Sequence, residues 1–355
     1  YNAHVKQRFE KQTMMLGFSD GTKDGGYLKA NWSILKTKES LSGVCAKNNF
    51  KAIFFDGRGG PPARGGGKTH RFYAAQTKEI ANNEIQLTIQ GQTITSTYGT
   101  KEQFIYNCEQ LLTAGLSNNF YGKENVISKA QRTLIEELSE LSFEKYDDLK
   151  HHDKFMPYLE NMSTLKYYTK ANIGSRPGKR GNKAKLELSD LRAISFVGSW
   201  SQLKQNVPGY YGLGTAIKTM KDKGRMEEVI SLYKNVAVFR ALMSNSMMAL
   251  SKCYFELTAY MKEDKEYGDF WVILKNEYDL SKEMLLEISG MKILMEQETI
   301  SRESIKIREN IVLPLLVIQQ YALQKIGEES SFKELYEKIV TRSLYGNINA
   351  SRNSA

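Results

Sequence analysis

A chain of 355 residues with 41% apolar and 25% charged side chains has an ordinary globular balance and enough length for one large domain or two of ordinary size. Its formal net charge of +10 invites an anionic partner, and no run of about 18 apolar residues occurs, so no membrane span is expected. Cys45, Cys108 and Cys253 stand in odd number without metal-ligand spacing, which suits free thiols in a reducing compartment and a soluble, cytoplasmic protein.

The chain opens at Tyr1 and reaches a strand-like run at 13–18 almost at once, so it reads as the trailing part of a longer protein. A polar turn over 19–26 follows, and then Leu28, Trp32, Leu35, Leu41 and Val44 give residues 27–48 helical spacing. The apolar run 52–55 predicts a second strand. It leads into a loop with six glycines between Asp56 and Gly67 and with two arginines, Arg58 and Arg64. Glycine lets a backbone take positive φ and approach a ligand closely, and guanidinium forks match phosphate geometry, so this loop is read as an anion site at a strand end rather than a plain hinge. A third strand is expected at 84–90, where Ile85, Leu87 and Ile89 alternate with polar residues. Strand, helix, strand order predicts parallel pairing in a barrel or an open sheet.

From about residue 101 the pattern becomes mainly helical, with long stretches at 131–150, 226–261 and 267–290. Residues 190–197 read as a further strand. Between 166 and 185 lie Lys166, Lys170, Arg176, Lys179, Arg180, Lys183 and Lys185 with no acidic residue. That cluster could track a phosphate backbone, ring a small anionic substrate, or form a solvated loop. Met243, Met247 and Met248 are expected in the core, and His151 and His152, with no third ligand at suitable spacing, on the surface.

Taken in order, GFSDGTKDGG at 17–26, FDGRGG at 55–60, RGGG and KTH at 64–70, Gln90-Gly91, GSRPGKR at 174–180, DLRAI at 190–194, SWSQ at 199–202 and the final SRN at 351–353 resemble the carboxyl-terminal part of bacterial-type phosphoenolpyruvate carboxylases. The resemblance runs nearly the full length of the chain. It implies a mainly α fold with a partial (β/α)8-type barrel wrapped by long helices. Residues 1–215 would be the carboxyl-terminal part of the barrel with its active-site loops, and 216–355 a helical region with an inhibitor site. It further implies a cytoplasmic homotetramer that turns phosphoenolpyruvate and bicarbonate into oxaloacetate and phosphate with Mg2+ or Mn2+ and without biotin, and no nucleic-acid or membrane partner.

By the same resemblance Asp20 matches a metal-coordinating carboxylate, whose hard oxygen suits magnesium, and Lys23 a lysine near the substrates. Arg58 and Arg192 match arginines that grip phosphate, Arg176 a third arginine of that site, and Gln90 a residue of its wall. Arg64 matches an arginine of the loop that closes over the substrate, as a reaction through readily hydrolysed carboxyphosphate requires. Lys252, Arg308 and Asn353, again with Arg64, match an inhibitor site for aspartate or malate. Asp56, placed by the resemblance among the substrate-binding candidates with Arg58, Arg192 and Gln90, stands where the family motif has histidine. A carboxylate beside a phosphate site is electrostatically awkward, so it pairs with Arg58, Lys23 or a metal, or points away.

The resemblance also implies that the catalytic histidine, a second metal carboxylate and another phosphate arginine belong to an amino-terminal half, so these 355 residues alone are expected to be inert. Two other functions remain in view, a dicarboxylate-sensing module without catalysis and a nucleic-acid binder using 166–185. The basic cluster lacks the interleaved stacking aromatics and the motif that the second would need.

Overall fold

The computed structural model describes residues 10–58, 60–80, 84–89, 92–121, 126–170, 187–328 and 331–351. Strand β1 (Lys11–Leu16) leads through helices α1 (Phe18–Gly25) and α2 (Tyr27–Lys47) to β2 (Lys51–Asp56), and a 3-10 turn (Pro62–Arg64) and α3 (Thr69–Ala74) precede β3 (Ile85–Leu87). The strands lie in the order β1-β2-β3, all parallel, with Lys11 opposite Lys51, Leu16 opposite Asp56 and Leu87 opposite Asp56 on the other side. The expected parallel arrangement is present, and among the described residues it amounts to three strands; a closed eight-stranded barrel is not shown.

Helices make up most of the rest, as expected. They are α4 (Gln92–Tyr98), α5 (Lys101–Tyr121), α6 (Lys129–Lys150), α7 (Phe155–Met162), α8 (Leu165–Lys170), α9 (Ala193–Gln202), α10 (Leu213–Asp222), α11 (Met226–Asn235), α12 (Ala237–Ser251), α13 (Gly268–Ser289), α14 (Thr299–Gly327) and α15 (Lys333–Ser351). Local signals set several of their ends. Ser128 accepts the Gln131 N–H at 3.2 Å while the Gln131 side chain accepts the Ser128 N–H at 2.9 Å, a reciprocal cap that starts α6.

One apolar core joins Trp32 and Leu35 of α2 and Phe54 of β2 to Leu138 of α6, Ile217 of α10, Phe239 and Met243 of α12 and Leu285 of α13. A second packs Phe155 and Tyr158 of α7 on Phe196 and Trp200 of α9 and Phe270 of α13. Met243 and Met247 are buried, Cys45 is buried, Cys108 and Cys253 are half-buried, all three thiols are free, and His151 and His152 are exposed. Among the described residues no helix is long and apolar enough to cross a membrane.

Three segments depart from the sequence expectation. The polar stretch 19–26 is not a turn but most of α1, because Phe18 and Thr22 bury one side of it and Gly26, at φ 75°, ends it. The apolar run 190–197 is not a strand. A 3-10 turn at Leu188–Asp190 leads into α9, where Phe196, Val197 and Trp200 fall on buried positions at helical spacing. Residues 226–261 are not one helix, for extended Val236 parts α11 from α12, and a separate 3-10 segment covers Phe255–Glu263.

Candidate active site

The glycine-arginine loop leaves the carboxyl ends of the parallel strands, where ligands of such sheets are commonly bound. Main-chain bonds tie those ends together. The Gly57 N–H donates to the Leu16 carbonyl at 3.2 Å and the Thr88 N–H to the Asp56 carbonyl at 3.1 Å. Past Asp56 the Pro61 carbonyl accepts from the N–H of Arg64 at 2.9 Å and of Gly66 at 3.0 Å, which folds the loop back on itself. Gly65 has φ 75°, and a Cβ there would lie 2.6 Å from the Phe18 carbonyl oxygen. The loop is thereby seated on α1, where the Ser19 hydroxyl also donates to the Arg64 carbonyl at 3.2 Å.

Arg58 is 2% exposed, and its guanidinium lies 4.0 Å from the centre of the Phe72 ring. Its Nη2 donates to the Gly66 carbonyl at 3.2 Å, while Nε and Nη1 meet no acceptor among the described residues. Burial pulls its pKa down, and Tyr27, Tyr73 and Asp56 push it back up. A buried guanidinium with unanswered donors is costly, and an anion is the ligand that answers them.

Asp56 is fully buried, and its Oδ2 accepts from Lys38 Nζ at 2.6 Å and from the Tyr73 hydroxyl at 2.6 Å. Its carboxylate is thus paired with Lys38, which the sequence did not single out, and among the described residues it forms no ion pair with Arg58 or Lys23. Burial lowers the pKa of Lys38, with Asp56 opposing, and burial together with Asp56 raises that of Tyr73 well above the ordinary phenol.

The other expected residues fall into two groups. Asp20 is exposed on the first turn of α1, and one turn on Lys23 is buried, its ammonium 2.5 Å from the Asp24 carboxylate and 3.4 Å from the Leu188 carbonyl. Arg192 caps α9, which packs against α1 and the 3-10 turn, and its Nε is buried without an acceptor among the described residues. Arg64 is buried beside them, and burial pulls its pKa down to about 10 while Tyr168 and Asp20 oppose. Asp20 and Lys23 thus lie on α1, and Arg64 and Arg192 on or at the start of two elements packed against it.

A cavity of about 840 Å³ opens on the other side of the loop. Arg58, Lys68, His70, Arg71, Lys252 and Arg308 contribute to its lining, so it joins Lys252 at the end of α12 and Arg308 of α14 to Arg58. Arg64 is not among its lining residues. Lys252 has its pKa lowered to about 8 by burial and by the charges of Lys204 and Arg308, with Glu309 opposing. Lys68 and Arg71, just past the loop, both pair with Glu298 in front of α14. Gln90, Arg176, Asn353 and most of the basic cluster lie outside the described residues. Asp20 supplies one hard oxygen for a divalent cation, but no group of three potential ligands gathers among the described residues, which therefore do not complete a metal site by themselves.

The family model described as phosphoenolpyruvate carboxylase matches residues 1–351. The chain belongs to the phosphoenolpyruvate carboxylase family. It is 31% identical over 367 aligned residues to the phosphoenolpyruvate carboxylase of Corynebacterium diphtheriae, covering 100% of this chain and 40% of that protein. The Corynebacterium glutamicum enzyme is 32% identical over 100% of this chain and 39% of its own length, and that of Prochlorococcus marinus strain MIT 9515 is 32% identical over 92% and 34%. The chain thus spans about two fifths or less of the curated relatives named here.

Within this chain, sequence reasoning missed Lys38, Tyr73 and Asn245. Lys38 carried a signal. It falls on the buried stripe of α2 formed by Leu28, Asn31, Leu35, Ser42 and Cys45, and a lysine on such a stripe requires a buried anion. Tyr73 and Asn245 resemble ordinary core residues in sequence, and nothing in their spacing marks them.

Proposed function

We propose that the chain is the carboxyl-terminal portion of an enzyme that carboxylates phosphoenolpyruvate with bicarbonate, yielding oxaloacetate and phosphate. The observation that carries this reading is buried Arg58 at the strand end, with Nε and Nη1 unanswered among the described residues. In this reading Arg58 and Arg192 hold the phosphate, Arg176 joins them, and Lys23 and Gln90 flank the substrates. Arg64 and the glycine turn close over them and exclude water. Asp20 gives one carboxylate to Mg2+ or Mn2+, which when bound would act as a Lewis acid toward developing oxyanion charge. Residues 1–215 carry this chemistry, 216–355 the effector site, and the whole protein is a cytoplasmic homotetramer.

By itself the chain is expected to be inert, since the family's catalytic histidine lies outside it. The test is oxaloacetate formation from phosphoenolpyruvate and magnesium, with and without bicarbonate, by this chain and by the protein extended to the length of its relatives. Bicarbonate-dependent product from the extended protein alone supports the reading; a folded extended protein without turnover refutes it.

A second reading, dicarboxylate sensing without catalysis, is favoured by one observation, that Lys252 and Arg308 line a single cavity. Aspartate or malate would bridge them, with Asn353 assisting. Dicarboxylate binding in an extended protein that makes no oxaloacetate would select this reading.

A further inference from the structure

The geometry points to Lys38 as a positioning residue for Arg58, acting through Asp56 and Phe72; this rests on the reading of Arg58 as the anion-gripping arginine. Lys38 and Asp56 form an ion pair at 2.6 Å with side chains 1% and 0% exposed. The ammonium sits 5.2 Å from the ring centre of Phe54, 5.4 Å from that of Phe72 and 5.6 Å from that of Tyr73. The Phe72 ring is thus shared by two cations, because the Arg58 guanidinium lies 4.0 Å from the same centre. Ring faces attract cations, so the pocket that fixes Lys38 also fixes the surface on which Arg58 rests.

Charge supplies the second half of the argument. Asp56 and Arg58 are two positions apart in the chain, and Asp56 Oδ1 is buried with no donor among the described residues. A carboxylate this close to a guanidinium with unanswered donors would take them unless another cation held it. Lys38 and the Tyr73 hydroxyl hold it through Oδ2. Arg58 is left with Nε and Nη1 for a ligand. Lys38 touches no substrate; it keeps Asp56 from competing with the anion.

The groups around Asp56 and Arg58 are Lys38 of α2, Tyr73 of α3 and Tyr27 at the start of α2; Lys38 and Tyr73 bond to Asp56, and Tyr27 and Tyr73 act on the charge of Arg58. Replacing Lys38 alone should therefore turn Asp56 onto Arg58. Replacing both charged partners should leave Arg58 free again.

The test uses the 355-residue chain, inorganic phosphate as the probe, and two readouts. The first is the hydrogen-exchange rate of the Arg58 Nε–H by NMR in the absence of ligand. The second is phosphate affinity by calorimetry. Lys38→Met should change the exchange rate and weaken phosphate binding by about tenfold or more, and Lys38→Met with Asp56→Asn should restore both to within about threefold, because the competing charge is gone. A purely structural role for Lys38 would leave the double variant no better than the single one, and that result overturns the proposal. So does a Lys38→Met protein with unchanged exchange and affinity. If Lys38→Met does not fold, Lys38→Gln, which keeps a donor but no charge, carries the same comparison. A wild-type chain that does not bind phosphate, yet shows the exchange response and its rescue, upholds the positioning role and counts against the phosphate reading of Arg58.

Discussion

Gly67 stands against Asn245 so closely that a Cβ on it would lie 2.3 Å from the Asn245 Oδ1, and its φ is 118°. The same Oδ1 accepts the Lys68 N–H at 3.3 Å, and Asn245 Nδ2 donates to the Tyr27 hydroxyl at 2.9 Å. Tyr27 in turn faces Arg58, whose charge acts on it. The glycine-rich loop is therefore anchored to α12 by one amide, and the anchor reaches Arg58 through Tyr27.

Gly67→Ala should accordingly destabilise the protein by about 1–3 kcal/mol, the usual cost of a side chain forced into a left-handed backbone, with the clash at Asn245 added. Gly43, in the interior of α2 with nothing within 4 Å of a built Cβ, is the contrast. Gly43→Ala should stabilise by about 0.5–1 kcal/mol, since it removes only backbone freedom from the unfolded chain. Urea unfolding of both variants checks the pair. Equal effects would mean that the loop does not hold this geometry in solution.

The parts of this architecture that sequence foretold are those governed by local rules. Alternation and apolar runs located β2 and β3, and the glycines after Asp56 marked a loop at the end of a strand. Helix α1 was hidden because Asp20, Gly21, Asp24 and Gly25 are turn formers, and only the burial of Phe18 and Thr22 makes a helix of them. The run 190–197 deceived in the opposite sense, its apolar residues suiting a strand until Phe196, Val197 and Trp200 found partners on one side of a helix. The site divides in the same way. Motif residues such as Arg58 stand out in the sequence, whereas the helical stripe of α2 marks Lys38 as needing a buried anion without saying that the anion is Asp56, which depends on how α2 folds back over β2.

On the proposed dicarboxylate reading, binding of aspartate or malate in the cavity should weaken at alkaline pH through Lys252. Its pKa is lowered from 10.5 to about 8 by burial and by Lys204 and Arg308, so the ammonium that a dicarboxylate needs is lost as pH rises through about 8. Affinity should then fall by up to about tenfold per pH unit above that point and be nearly level below it. Linkage gives the opposite sign for stability. The unfolded chain holds this proton more tightly, so the Lys252 contribution to stability rises between about pH 8 and 10.5. Calorimetric titration of aspartate from pH 6.5 to 9.5, a range of about three units chosen to bracket the transition, checks the first sign. Lys252→Arg, charged throughout, should flatten the profile; an unchanged alkaline slope in that variant would assign the effect to another group.

Glu277 of α13 holds the start of α10 and gives a prediction independent of any ligand. Its Oε1 accepts the N–H groups of Gly212 and Thr215, each at 3.1 Å, and its Oε2 accepts the Thr215 hydroxyl at 2.5 Å. Burial raises its pKa above the ordinary carboxylate value, with Thr215 and Gly212 opposing. A raised pKa means that the folded protein binds this proton more tightly than the unfolded chain. The Glu277 contribution to stability is therefore greatest below the ordinary value of 4.5 and declines as pH rises through the raised one. Glu277→Gln keeps an acceptor for both N–H groups, and its amide can donate to the Thr215 hydroxyl. It should cost no more than about 1 kcal/mol and remove that decline. Glu277→Ala leaves the helix start without its acceptor and should cost about 2–4 kcal/mol. Unfolding by urea at a series of pH values separates the two effects, and a Gln variant as unstable as the Ala variant would show that the negative charge, rather than the hydrogen bonds, holds α10 in place.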